Sequence, residues 1–301
     1  MIKAIAPAKV NLLFQVGPLE TSGYHQVNSL YLELDLCEEV SIAKGKPGTG
    51  VSITVTGADL PARHLNAVPK DRSNLVYQVA EYFSAKNNIE LSELEILIHK
   101  SIPVAGGMAG GSADAAAMMV AVNEFLAIEH GVARLPKPEL VALAAQFGSD
   151  VPFSLLGGLA LGTGRGEQLT AWPALPFDAY FVLLISQEGL STPQVFAKFD
   201  ELGGGTEFHQ VRMPESVDEL ASMMANDLQD AAITLLPSIQ NNISRLEQVG
   251  ALTAMVSGSG PTVLGLFSDA ASATKAKRIL SAEGLLAFSA QASYSGTRLQ
   301  N

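Results

Sequence analysis

The stretch PVAGGMAGGSADAAAMMVAV, residues 103–122, places four glycines within Gly106 to Gly111 and runs straight into strong helix formers. A helix start carries unpaired N–H groups and partial positive charge. Glycines just ahead of it let the backbone approach a bulky anion, because no Cβ intrudes. With a strand expected over LEILIHKSI (94–102) and a helix from Gly111 or Ser112, the segment reads as a phosphate cradle. A glycine turn that lets a helix pack tightly on a sheet is the competing reading. Two common cradles are excluded by spelling. Ser112 stands where a P-loop needs lysine, and Met108 stands where the dinucleotide fingerprint needs glycine.

Two charged residues could act on a phosphoryl group. Asp150 follows Gly148 and precedes Val151-Pro152, which sets it at a rigid turn. Aspartate is a common turn former there. It is also a candidate general base, and a positioned base typically gives about 100- to 10,000-fold in rate. Lys9, at a strand start, reads either as a solvated side chain or as a cation. In the second role it would keep a carboxylate ionised and stabilise developing oxyanion charge. The histidines, at positions 25, 64, 99, 130 and 209, lack zinc spacing, and no G-x-S-x-G nucleophile elbow occurs.

The surrounding chain must position these groups. Its 301 residues are 48% hydrophobic and 16% charged, a composition for two lobes or one large unit. A net charge of −11 argues against nucleic acid and an anionic membrane as partners. The single cysteine, Cys37, cannot form an internal disulfide and reads as a buried structural thiol in the alternating segment YLELDLCEEVSI. The N-terminus lacks the apolar core of a signal peptide, and no apolar run approaches ~20 residues. A cytoplasmic protein is expected.

Residues 2–16 read as strand, turn, strand, with further strands at 29–43 and 50–56. Helices are expected over 71–87, capped by Ser73 or Asn74, and over 137–148, closed by Gly148. GGLALGTGRG (157–166) looks like a hinge or lobe boundary. Beyond it come a strand at YFVLLIS and helices near 191–200, 216–235 and 237–248. Strands near 252–256 and 262–267, a helix at 270–283 and a last strand near 286–292 follow. GGGTEFHQ (203–210) is expected to be a mobile loop. Helices and strands mix without strict βαβ alternation, so the fold class is α+β.

The glycine segment resembles the second motif of the GHMP small-molecule kinases, which include galactokinase, homoserine kinase and mevalonate kinase. Met108, Ala109 and Ala113 stand where Leu, Gly and Ser are commoner in that family. APAKVNLLFQVG (6–17), SGSGPTVLGLF (257–267) and FGSDVPF (147–153) are similar to its first motif, its third motif and its catalytic-aspartate segment, in the family's order. Lys9-Val10-Asn11 followed by SGYHQVNSL (22–30) resembles the branch whose substrate carries a cytidylyl group.

The resemblance implies a two-lobed GHMP-kinase-like fold, with a ribosomal S5-like N-terminal lobe and a ferredoxin-like C-terminal lobe. Residues 1–161 would bind ATP, 285–301 would return to that lobe, and 162–284 would close over the substrate. It implies ATP with Mg2+, and phosphorylation of the 2-hydroxyl of a cytidylyl methylerythritol. Lys9 and Asp150 would be catalytic. Pro103, Val104, Ala105, Gly106, Gly107, Met108, Ala109, Gly110, Gly111, Ser112 and Ala113 would hold ATP, with Lys100 and Asn74 near the adenosine. Tyr24 would stack on the cytosine and His25 would hydrogen-bond its edge, through side chain or backbone. Phe196, in LSTPQVFAKF, would form the opposite wall, and Asn11 would hold the substrate. Asp114, in the first helical turn, would face the phosphates and bind Mg2+ directly or through water, or would only satisfy the helix dipole. Asn226-Asp227 is accounted for by helix capping. Two rivals stay open: a kinase of the same family with mevalonate or homoserine as acceptor, and a nucleotide-binding regulator without turnover. The oligomeric state, a homodimer included, is not legible.

Overall fold

The computed structural model describes residues 1–58, 60–91, 93–104, 106–205 and 207–300. Two long antiparallel strands, β1 (Ile2–Leu19) and β2 (His25–Lys44), open the chain. The expected turn inside 2–16 is absent. The register of β1 slips between Pro7 and Lys9 and again between Asn11 and Leu13, so Pro7 makes a bulge and not a reversal. A bulge tolerates proline and re-aims the side chains beside it. Lys9 and Asn11 flank these irregularities, two residues apart and therefore on one face of the strand.

The chain continues through β3 (Val51–Thr56), α1 (Ala62–Asn66), α2 (Leu75–Asn87), β4 (Leu94–His99), α3 (Gly110–His130), α4 (Lys137–Ala144), α5 (Val151–Leu156), β5 (Leu159–Thr163) and β6 (Gln168–Trp172). The second half holds β7 (Tyr180–Ile185), α6 (Thr192–Glu201), α7 (Val217–Met223), β8 (Ala225–Asn226), α8 (Gln229–Leu235) and α9 (Ser238–Gln248). It ends with β9 (Thr253–Val256), β10 (Val263–Phe267), α10 (Ala270–Ala282), β11 (Leu286–Gln291) and β12 (Arg298–Leu299). An eight-stranded sheet runs β12-β1-β2-β4-β3, with β5 on β2, β6 on β5 and β8 parallel to β1. A four-stranded antiparallel sheet runs β11-β7-β10-β9.

Three expectations change. GGLALGTGRG is β5 and the turn of the β5–β6 hairpin, inside the first sheet, so its glycines end a hairpin and do not mark a joint. Residues 216–235 are two helices split by β8, because Asp227 accepts from the N–H of Val16 (2.8 Å) and donates its own N–H to Phe14 O (2.9 Å), pinning this segment to β1. The segment 285–301 divides: β11 belongs to the second sheet, while Ala292 bridges Leu34 of β2 and β12 pairs with β1 in the first. The loop after α6 lies along the end of β1, with the Phe208 ring 3.2 Å from the Cβ position at Gly17.

Among the described residues one helix, α3, is long and apolar enough by composition to cross a membrane. Its apolar faces are nevertheless explained by packing: Ala113–Met119 are all buried, and the helix lies against β1, β2 and α2. A second apolar cluster gathers α8, α9 and α10 on the second sheet. Cys37 is free, and burial pushes its thiol up to about 11, which suits an inert thiol.

Candidate active site

The phosphate end is built from main chain. Ala109 caps α3 in the left-handed region (φ 57°) and offers no side-chain cap. The first turn of α3 holds no acidic residue. The N–H groups of Gly110, Gly111 and Ser112 find no backbone acceptor among the described residues; the first closed helical bond is Ala113 N–H to Ala109 O, 2.9 Å. Three aligned donors at the positive end of a 21-residue helix are an arrangement suited to an anion. Gly111 is exposed with open space around it, and Ser112 is half-buried beside Gly148. Ala113 is buried.

The approach to this mouth is clasped from the second lobe. Gly107 has φ 73°, and a Cβ there would sit 2.5 Å from Ser257 O. Ser257 donates its hydroxyl to Gly107 O (3.2 Å), and Gly106 lies against Thr262. Pro103 and Met108 are buried and Val104 is half-buried. Ala105 lies outside the described residues. Asn226, expected only to cap, donates to both Val256 O (2.8 Å) and Gly258 O (2.7 Å), which anchors the 257–260 loop across the cleft. It also accepts from the N–H of Leu228, the residue that precedes α8, while α8 itself has no side-chain cap.

The charged pair comes together. Asp150 precedes α5 without capping it, because its side chain makes no bond to that helix. Its Oδ1 stands 3.8 Å from Lys9 Nζ. Lys9 is 5% exposed, while the Asp150 side chain is 31% exposed, so the carboxylate is the more open of the two and the ammonium lies deeper. Lys9 Nζ donates to Asn11 Oδ1 (2.9 Å), Asn11 Nδ2 to Ser29 Oγ (2.7 Å), and Ser29 Oγ to Leu13 O (2.9 Å). This chain corrects the expectation for Asn11. The residue is fully buried and both ends of its amide are engaged, so it orients Lys9 instead of holding substrate. The Tyr31 ring lies 5.0 Å from Lys9 Nζ; burial, reinforced by the charge of Asp150, drives its hydroxyl well above the usual range, so it stays protonated.

The base end joins β2, α6 and the β5–β6 turn. Tyr24 is 58% exposed, with the Arg165 guanidinium 5.5 Å from its ring centre. His25 is buried. Its Nδ1 donates to Gly17 O (2.8 Å), and its Nε2 lies 3.2 Å from Asp200 Oδ1, outside hydrogen-bond alignment. Phe196 and Phe199 flank the imidazole at 5.5 and 5.9 Å. His25 and Phe196 therefore meet. The ring nitrogens of His25 face Gly17 and Asp200.

Three expected ligand contacts are corrected. Lys100 is 1% exposed, with Nζ bonded to Glu38 and to Asp114 Oδ2 (2.8 Å), so it does not reach an adenosine. Asp114 is buried with it and is not aimed at the phosphates, so it does not fit as a Mg2+ ligand. No cluster of His, Cys, Asp and Glu suited to a metal occurs among the described residues. Asn74 caps α2, accepting from Val76 N–H (3.0 Å) and donating to Pro69 O (2.6 Å). Sequence reasoning also missed Glu38, Ser29, Arg165 and Asp200. Nothing in an alternating strand distinguishes a buried Glu38 from a solvated one. Arg165, a lone cation in a glycine-rich turn, was the one visible signal.

Comparison with known proteins agrees with this geometry. Residues 74–158 match the GHMP kinases N terminal domain and residues 210–285 the GHMP kinases C terminal domain. The chain is 41% identical to a 4-diphosphocytidyl-2-C-methyl-D-erythritol kinase of Rhodococcus jostii, over 93% of this chain and 88% of that one. It is 39% identical to the enzyme of the same name from Streptomyces coelicolor, over 92% and 91%. A crystal structure of 4-(cytidine 5'-diphospho)-2C-methyl-D-erythritol kinase superposes with a TM-score of 0.75 at 28% identity, covering 97% of this chain and all of that one.

Proposed function

We infer the reaction from one premise: the chain belongs to the GHMP kinases, and within them to the 4-diphosphocytidyl-2-C-methyl-D-erythritol kinases. It is a phosphotransferase that moves the γ-phosphoryl group of ATP to the 2-hydroxyl of 4-diphosphocytidyl-2-C-methyl-D-erythritol, a step of non-mevalonate isoprenoid precursor synthesis.

In our reading the β- and γ-phosphates lie on the N–H groups of Gly110–Ser112. Asp150 takes the proton of the acceptor hydroxyl as its oxygen bonds to the γ-phosphorus and the bond to the β–γ bridging oxygen breaks, releasing ADP. Lys9, held by Asn11 and Ser29, balances the charge that develops between them. Mg2+ would arrive with ATP on phosphate oxygens and water, and it neutralises phosphate charge when bound. Tyr24 presents an open aromatic face to the cytosine. The α6 helix, carrying Phe196, closes the other side.

The observation that carries this reading is the Lys9–Asp150 pair, 3.8 Å apart, with Lys9 N–H bonded to Met108 O in the loop that leads to the helix mouth. An ADP-release assay tests it. Turnover is expected with the cytidylyl compound and not with mevalonate or homoserine. Comparable turnover with either simple alcohol would reject the assignment of acceptor.

A further inference from the structure

We propose that Glu38, Lys100 and Asp114 form a charged brace that holds the mouth of α3 in the shape that takes a polyphosphate, which makes Lys100 a positioning residue and not a nucleotide contact. The proposal rests on the reading of Gly110–Ser112 as the polyphosphate site.

The three side chains come from β2, from the residue after β4, and from α3. All are more than nine-tenths buried, at 0%, 1% and 3% exposure. Lys100 Nζ bonds both carboxylates. Glu38 does more than neutralise it. Its Oε2 accepts from Ser101 N–H at 2.8 Å and its Oε1 from Ile102 N–H at 3.3 Å, which fixes the exit from β4 into the glycine loop. The same Oε1 lies 3.2 Å from the Cβ position at Gly110, directly behind the first residue of α3. One carboxylate therefore touches both ends of the loop. Lys100 extends the tie to Asp114, and its own N–H bonds Thr56 O at 2.7 Å on β3. Asp114 Oδ1 has no partner among the described residues, so Lys100 is the group that holds this carboxylate.

A loop rich in glycine has little stiffness of its own. The donors of an anion site act only when they are held to a fraction of an ångström. Misplacement on the order of 1 Å can cost on the order of a hundredfold. The brace supplies that stiffness from behind, where no ligand reaches.

The test uses the full chain and a non-hydrolysable ATP analogue, with binding read by calorimetry. Glu38→Ala leaves Lys100 paired with Asp114, and Asp114→Asn leaves it paired with Glu38, so neither variant strands a buried charge. Each is expected to weaken analogue binding by about tenfold or more, while KM for the cytidylyl alcohol moves less than about threefold. Amide exchange over 106–113 should speed up in both variants before ligand is added. If both variants bind the analogue as wild type does, and only Lys100→Met loses affinity, Lys100 is a direct contact and the brace is overturned. Equal weakening toward ATP analogue and alcohol would mark general destabilisation and overturn it too. Failure of the underlying site reading looks different: wild type would bind the analogue without protecting the amides of Gly110–Ser112.

Discussion

The two ends of the cleft are built by opposite means. The phosphate end is one contiguous segment, 103–113, whose working groups are main-chain amides and whose side chains are absent, buried or small. Ion pairs hidden behind it hold it in place. The base end is assembled from Gly17, Tyr24, His25, Arg165, Phe196 and Asp200, contributed by β1, the approach to β2, the β5–β6 turn and α6, and its outer wall stands in solvent. The difference teaches where each kind of recognition can be written. A polyphosphate asks for aligned donors and positive potential, which a helix mouth gives to any chain that keeps Cβ atoms away. A base asks for flat faces and a readable edge, which only side chains brought together by tertiary packing can give.

If the two ends are separable, substitutions should divide cleanly between turnover and substrate affinity. The largest effect belongs to Asp150, which lies between them. Asp150→Asn is expected to lower kcat by about 100- to 10,000-fold with binding of an ATP analogue retained; near-normal turnover in a stopped assay would remove it from the chemistry. Next comes Tyr24→Ala, at the base end. Loss of a stacking face is worth ~1–3 kcal/mol, so KM for the cytidylyl alcohol should rise about tenfold or more, with KM for ATP unchanged. A rise in both would break the separation.

A subtler signature comes from the brace. Burial, with the nearby charge of Asp114, raises the Glu38 carboxyl from 4.5 to about 8, against the pull of Lys100. The Asp114 carboxyl is raised too, again by burial, against the same pull. The folded chain then holds protons that the unfolded chain releases, so this contribution to stability is full below about pH 4.5 and is lost as pH rises through about 8. Denaturant midpoints should fall across that window, and Glu38→Gln should flatten the slope. An unchanged slope in that variant would assign it to another group. The smallest effect concerns Ala109, held at φ 57° where glycine sits without strain. Ala109→Gly should raise stability by about 1 kcal/mol, seen as a small rise in Tm.

The same contrast governs how much could be read from the letters. The glycine run, the helix after it, the Asp150 turn and Lys9 are local signals, and the structure brings Lys9 and Asp150 within 3.8 Å of each other. The α+β class and most strands followed from alternation and turn residues. What failed was tertiary in origin. Residues 2–16 read as two strands with a turn between them because a bulge in a paired strand has no spelling of its own. Residues 216–235 looked like one helix because the pull of Asp227 on β1 is invisible from within the segment. Lys100, Asp114, Asn74 and Asn11 have the residue types of ligands and the placement of internal braces, caps and orienters. Burial alone separates those roles. Glu38 and Asp200 went unnoticed for the converse reason: their partners, Lys100 and His25, lie 62 and 175 positions away.

The central claim is that phosphoryl transfer takes place between the α3 mouth and the Asp150 carboxylate. A crystal structure of the full chain with a non-hydrolysable ATP analogue and the cytidylyl substrate tests it most directly. The account predicts the terminal phosphates on the N–H groups of Gly110, Gly111 and Ser112, and the acceptor hydroxyl within hydrogen-bond reach of Asp150, about 2.6–3.2 Å. Phosphates bound away from that helix, or a hydroxyl separated from Asp150 by a full side chain, would contradict it.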